Sequence, residues 1–394
     1  MARSRCCSPI VLVLALLSAA SYADNDADRD ASLEAELAEL KARIDELEKS
    51  QPPAPERSSP PRLNFKADFR YRYDYLDDEA AEEPRQRHRI RARGALTARV
   101  DEDVLLGFGV ASGDEDPIST NQTLGNASST KDWRLDLAYF QWNLTEQWQL
   151  VGGKYVNRIY RPEGYPLLWD GDLRPEGLNL HFEEGLFFAN LGYNIIESDN
   201  RGGGQDTAEY ITLSLGQDFI LDERALLRIG GGYYLFNTKG KGRLDAGRSF
   251  GNSVDEAGAY LYDYRELELF AEYHFGLAGE EAILFMDLVQ NQDAPEQNLG
   301  YAVGLHYGRI EEKGDFKLGL AYQALEADAV FGGFTDSDFA GGGTDNQGQV
   351  YTAVYAIRER VIFSVTYFDT EYGEFSQGQA QDFKRLFLDL VFQY

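Results

Sequence analysis

From Arg62 to the last residue, apolar side chains recur at every second position, while no uninterrupted apolar run reaches the ~18 residues that a membrane-crossing helix needs. A period of two is the mark of a strand with one apolar face. Leu63, Phe65, Ala67, Phe69, Tyr71, Tyr73 and Tyr75 share one face, and Asn64, Lys66, Asp68, Arg70, Arg72 and Asp74 the other. Ile90, Ala92, Gly94, Leu96, Ala98 and Val100 then alternate with Arg87, Arg89, Arg91, Arg93, Thr97 and Arg99. The pattern returns at Phe187/Ala189/Leu191/Tyr193/Ile195, Leu267/Leu269/Ala271/Tyr273/Phe275 and Val361/Phe363/Val365/Tyr367, among others. Its parity is ambiguous over 133–144 and 148–155. Roughly sixteen segments of about ten residues result, the length that crosses a bilayer at a tilt.

The connections sort by length. Short ones near 101–103, 145–147, 183–185, 276–280, 311–314 and 358–360, with a longer one near 217–224, alternate with long polar ones. The long ones are 76–86, 112–132, 157–173, 197–206, 237–258, 290–297, 326–347 and 370–382. A soluble sandwich has no reason to sort its loops by parity, whereas an outer-membrane barrel has short periplasmic turns and long external loops. The expected fold is therefore all-β: a transmembrane antiparallel β-barrel of about sixteen strands over 62–394. The last strand should close the ring on the 63–75 strand. Leu386, Leu388, Leu390, Phe392 and Tyr394 would then face lipid, with Arg385, Asp389 and Gln393 in the lumen. The terminal aromatics Phe392 and Tyr394 resemble the C-terminal signal that the bacterial barrel-assembly machinery reads.

Residues 1–23 read as a signal peptide: Arg3 and Arg5 precede a short apolar stretch, and Ser21-Tyr22-Ala23 suits cleavage before Asp24. Cys6 and Cys7 would leave with it, so neither disulfide nor thiol chemistry is expected. Over 24–50 an acidic segment leads into a heptad seam of Leu33, Leu37, Leu40, Ile44 and Leu47, expected to form a short α-helical coiled coil between chains. An amphipathic helix on another surface is the competing reading. Residues 51–61 contain five prolines and form a semi-rigid linker. An even strand number returns this N-terminal region to the periplasm. The 66 acidic against 38 basic residues, a net charge of -28, exclude nucleic acid as a partner.

The polar faces of the first two strands carry Arg70, Arg72, Arg87, Arg89, Arg91, Arg93 and Arg99. Like charges facing across a strand pair destabilise a sheet unless the lumen is wet or carboxylates reach them. Two readings stand: a positive strip that concentrates small anions, or a salt-bridged wall that sets only pore shape. The third long connection carries Arg161, Trp169, Asp170, Asp172 and Arg174.

The segment Leu168-Trp169-Asp170-Gly171-Asp172-Leu173-Arg174-Pro175-Glu176-Gly177-Leu178 resembles one found in the "putative porin" family of Gram-negative outer membranes. With the signal peptide, coiled coil, linker and barrel, the resemblance covers nearly all of the chain. It implies a trimeric, sixteen-stranded porin whose third loop folds into the lumen, with Asp170 and Asp172 facing the arginines across a constriction. The alternative is a loop that caps the mouth, Trp169 packing on the wall. An N-terminal helix and arginine-lined pore also resemble the phosphate-selective porins, but Lys66, Lys154 and Lys317 stand isolated where those proteins are lysine-rich.

His88, His181, His274 and His306 lie in different segments without ligand spacing, so neither metal nor other cofactor is expected. No convergent catalytic group can be nominated, and no enzyme activity is expected. Asp114-Glu115-Asp116 and Asp336/Asp338 read as solvated loop charge or as sites for cations bridging lipopolysaccharide. The functional expectation is a passive outer-membrane channel for small hydrophilic solutes or ions, with homotrimer, lipid and lipopolysaccharide contacts. The alternative is a barrel anchor whose coiled coil engages periplasmic or cell-wall partners.

Overall fold

The computed structural model describes residues 62–198, 207–244 and 248–394, together with Glu39, Lys41 and Arg43, which are helical. The expected signal peptide, the heptad seam and the proline-rich linker otherwise lie outside the described residues. The coiled coil is therefore not supported.

Sixteen strands form one sheet: β1 (Leu63–Asp78), β2 (Arg85–Arg99), β3 (Val104–Ser112), β4 (Trp133–Asn143), β5 (Trp148–Lys154), β6 (Glu176–Glu184), β7 (Phe187–Glu197), β8 (Ala208–Asp222), β9 (Ala225–Phe236), β10 (Tyr264–Leu277), β11 (Glu280–Asn291), β12 (Leu299–Gly308), β13 (Phe316–Leu325), β14 (Asn346–Arg358), β15 (Val361–Tyr372) and β16 (Gln381–Gln393). Each pairs antiparallel with its neighbours in sequence, and β16 pairs with β1 from Phe383↔Asp78 to Gln393↔Asp68, which closes the barrel. A two-residue strand, Gln122–Thr123, lies against Arg89 and Ile90 of β2.

Alternation puts β-branched, aromatic and leucine side chains outward. Leu267, Leu269, Leu284, Met286 and Leu288 are 39–56 % exposed. A continuous apolar band of this kind needs an apolar solvent around it. The turns on one rim are tight. Ala278 and Gly279 both have positive φ (51° and 100°), as the two central residues of a type I′ hairpin require.

The ambiguous parity over 133–144 has a local cause. A bulge in the β3–β4 ladder, between the Gly109↔Leu137 and Val110↔Leu135 pairs, gives β4 one extra residue. Trp133 and Leu135 point outward before it, and Trp142 after it, so the outward set changes from odd to even positions. Over 148–155, Gly152 and Gly153 erase the pattern.

The inside is divided. The third, fifth and seventh long loops (155–175, 237–244 with 248–263, and 326–345) fold inward. Leu167, Leu168, Trp169, Tyr260, Val330, Phe331 and Phe334 pack with Tyr210, Tyr234, Phe236 and Tyr264 of β8–β10 into one buried apolar cluster. Asn252 fastens the fifth loop to the seventh by donating to the carbonyls of Ala327 and Val330 and accepting from Gly332 N–H, each at 2.8 Å. Loop residues Asn121, Asp172 and Asp338 reach the inner face of the wall formed by β16, β1 and β2.

Candidate functional site

Alternation places Arg70 and Arg72 of β1, Arg87, Arg89, Arg91 and Arg93 of β2 and Arg385 of β16 on the inner face. The register sets Arg70 opposite Arg91 and Arg72 opposite Arg89. Carboxylates thread between them. Asp389 is the direct partner of Arg72 and accepts two hydrogen bonds of 2.8 Å. Asp74 binds Arg385 at 3.1 Å and Arg87 at 2.5 Å, and Asp68 binds Arg91 at 3.0 Å and Arg93 at 2.7 Å. The loops complete the set. Asp338 of the seventh loop reaches Arg72 at 3.0 Å and Arg385 at 3.1 Å, while Asp172 of the third loop lies 2.9 Å from Arg93 and 3.8 Å from Arg91.

Seven guanidiniums thus meet five carboxylates. The shortfall falls on Arg70 and Arg89, whose carboxylate contacts are long: 4.0 Å to Asp389 and 3.8 Å to Asp74. Nε of both, like that of Arg87, is buried without a hydrogen-bond partner among the described residues. Arg70 instead donates to Asn121 of the second long loop at 2.6 Å. Strip and salt-bridged wall are therefore the same structure, neutralised at its ends and under-compensated in the middle. Arg99 does not belong to it: it is exposed at the far end of β2, donating to the Glu102 carbonyl of the adjoining turn.

In the third loop the expected residues separate. Asp172 faces the arginines, and although burial would raise its pKa, Arg91 and Arg93 hold it below the ordinary carboxylate range. Asp170 does not face them. Its Oδ2 accepts from Ser337 N–H at 3.1 Å and its own N–H donates to the Phe334 carbonyl at 2.7 Å, so it binds the seventh loop. Burial, and then the nearby Asp336, push its carboxyl up to about 8. Trp169 is 1 % exposed, edge-on to Tyr234 at 5.0 Å and stacked near Tyr210 and Phe236. It packs on the wall and fixes the loop without lining the opening. Arg161 donates to the Trp169 carbonyl at 3.1 Å, and Arg174 pairs with Asp136 of β4 at 3.3 Å. Neither joins the strip.

Asp338, expected in solvent or on lipopolysaccharide, is instead drawn inside by the two guanidiniums, which against burial hold its carboxyl far below the ordinary range. Glu163 carried no sequence signal. Its Oε2 lies 2.5 Å from His306 Nδ1 and 2.9 Å from Lys317 Nζ, tying the loop tip to β12 and β13. Glu266, Glu268 and Glu272 were not singled out from the sequence, although they alternate there with Leu267, Leu269, Ala271 and Tyr273 of β10. They accept from Phe331 N–H (2.7 Å), Tyr234 OH of β9 (2.6 Å) and Tyr160 OH (2.6 Å) respectively, so Glu266 anchors the seventh loop and Glu272 the third. Phe392 and Tyr394 stand on the outer face, 42 % and 73 % exposed, beside Phe69 and Phe65.

The sequence profile of the "Putative porin" family matches residues 53–260 and 257–391. The chain belongs to this family. This porin is an outer-membrane β-barrel channel. No curated protein sequence matches it. Among solved structures it is similar to Pseudomonas putida OprB at 11 % identity, with TM-score 0.56 over 84 % of this chain and 94 % of that one. Salmonella typhi OmpF, solved with daunomycin, gives 9 % and 0.53 over 84 % and 97 %. A mutant of Rh. blastica porin gives 9 % and 0.51 over 84 % and 100 %. At these identities the likeness is one of fold.

Proposed function

We propose that this porin passes small hydrophilic solutes passively, with a preference for anions. The observation that carries the preference is the excess of guanidiniums over carboxylates on the part of the wall formed by β16, β1 and β2, with the longest ion-pair contacts at Arg70 and Arg89. Uncompensated positive charge beside a narrow, low-dielectric lumen raises the local anion concentration. The constriction would be formed by the third and seventh loops rather than the third alone, because Asp172 and Asp338 approach the strip from different loops.

The porin would act as a homotrimer in lipid and lipopolysaccharide, inserted by the barrel-assembly machinery through Phe392 and Tyr394. Its signal peptide would be removed, its heptad segment would remain periplasmic, and it would carry out no catalysis. Single-channel recording on the purified protein tests the reading: stepwise ohmic conductance with a reversal potential on the anion side in a KCl gradient is expected. Absence of steps would favour the second reading, an anchoring barrel, which the packed apolar cluster inside the barrel also suits.

A further inference from the structure

We propose that the solutes are amphipathic organic anions, each a carboxylate on a compact apolar or aromatic body, rather than inorganic anions or sugars. The inference rests on the channel reading above and specifies its substrate class.

The inner wall changes character abruptly between neighbouring strands. On β14 and β15 the inward positions are Val350, Thr352, Val354, Ser364, Thr366 and Phe368, without a charge among them. One strand further, β16 presents Arg385 and Asp389, and β1 then presents Arg70 and Arg72. Between this uncharged wall and the third loop lies a cavity of about 260 Å³, lined by Tyr165, Pro166, Ala321, Val350, Val354 and Phe368. That is below the ~300–1,000 Å³ of drug-sized pockets, so it suits a body of about one ring.

Two aromatic rings link the cavity to the nearest guanidiniums. Phe368 packs edge-on to Phe387 at 5.5 Å, and Phe387 lies under Arg72 (3.6 Å) and Arg385 (4.5 Å). Tyr165 lines the cavity, while its hydroxyl is buried with no hydrogen-bond partner among the described residues. Two acids border it. Glu163 is paired with Lys317 and hydrogen-bonded to His306. Asp336, where burial and Asp338 push the carboxyl up to about 7, carries a partial charge at neutral pH. A solute sliding its apolar side along Val350 and Val354 would keep its carboxylate toward the strip, whose under-compensated members are Arg70 and Arg89 rather than the fully paired Arg72 and Arg385. A hydrated inorganic anion gains only the second contact, and a sugar neither ion pairing nor the full apolar contact.

The test is bi-ionic potential measurement on the full-length porin in planar bilayers, with potassium benzoate against potassium acetate. Benzoate is the larger and slower ion, so simple sieving gives a benzoate/acetate permeability ratio below one. A ratio above one is expected here, falling below one in the isosteric double variant V350T/V354T. A wild-type ratio below one, or a ratio unmoved in the variant, overturns the inference alone. Absence of any steps in KCl overturns the channel reading beneath it.

Discussion

Arg72 on the first strand and Asp389 on the last are direct cross-strand partners, and two 2.8 Å hydrogen bonds between them tie the seam that closes the barrel. They are 5 % and 6 % exposed. Arg72 turns its remaining nitrogen to Asp338 and its face to Phe387, so one guanidinium fastens both the seam and the seventh loop.

Asp389→Ala should therefore do more than remove a pair. It leaves Arg72 buried with Asp338 alone and brings Arg70 closer to being an uncompensated charge. Removing one partner of a buried pair costs about 3–5 kcal/mol. The expected result is a lower urea midpoint for unfolding from detergent, with a smaller loss for Lys384→Ala, whose partner Asp382 is solvent-exposed. Equal midpoints would show that the seam draws its stability from the backbone ladder.

Selectivity should map unevenly along the strip. Arg89→Gln removes a charge with one long contact, whereas Arg91→Gln frees parts of both Asp68 and Asp172. The first substitution should reduce the anion preference and the second should reverse its sign locally, because it exposes carboxylate. Reversal potentials in a KCl gradient report both. Identical shifts would show that the field averages over all charges regardless of pairing.

Much of this architecture was legible from side-chain alternation, because alternation and loop parity are properties of single strands. The first strand's inward Arg70, Arg72 and Asp74, and the partnership of β1 with β16, follow from them directly. The inward loops were less legible. Asp170 and Asp172 are two residues apart with the same chemistry, yet one meets arginines and the other meets the backbone of the seventh loop. Nothing local distinguishes them, since their partners lie about 80 and 165 residues away on opposite sides of the chain. Glu163 was invisible for the same reason: His306 and Lys317 are brought to it by the ring's closure.

The contact between the third and seventh loops should weaken with alkali. Asp170 and Asp336 are raised by burial and like charge from 3.8 to about 8 and about 7, so the folded loops hold more protons than released ones. Their contribution is complete below about pH 4 and is lost as pH rises through about 7 to 8. Arg161 beside Asp170, and Arg72 and Arg385 beside Asp336, moderate the repulsion. Open-channel current noise should rise between pH 6 and 9, values chosen to bracket roughly those shifted carboxyls. Asp336→Asn should flatten this rise. A noise level indifferent to pH in the wild-type porin would count against the contact.

Acid should act on the other end of the third loop, in the opposite sense. Burial alone would raise the Glu163 carboxyl, but the hydrogen bonds from His306 and Lys317 bring it down to about 2, from an ordinary 4.5. The folded loop therefore binds fewer protons than a released one. The tie contributes fully above about pH 4.5 and is lost as pH falls toward about 2. Glu163 also holds a left-handed backbone, φ 48°, which a non-glycine residue keeps only while its surroundings impose it. Protonation should let the tip swing away from β12 and β13, changing unit conductance near pH 3, a value roughly inside that window. Glu163→Gln should show the same altered conductance already at neutral pH and lose its acid response. If the variant keeps wild-type conductance and still responds to acid, the tip is held by its contacts to Glu272 and Trp169 instead, and the charge at Glu163 is incidental to it.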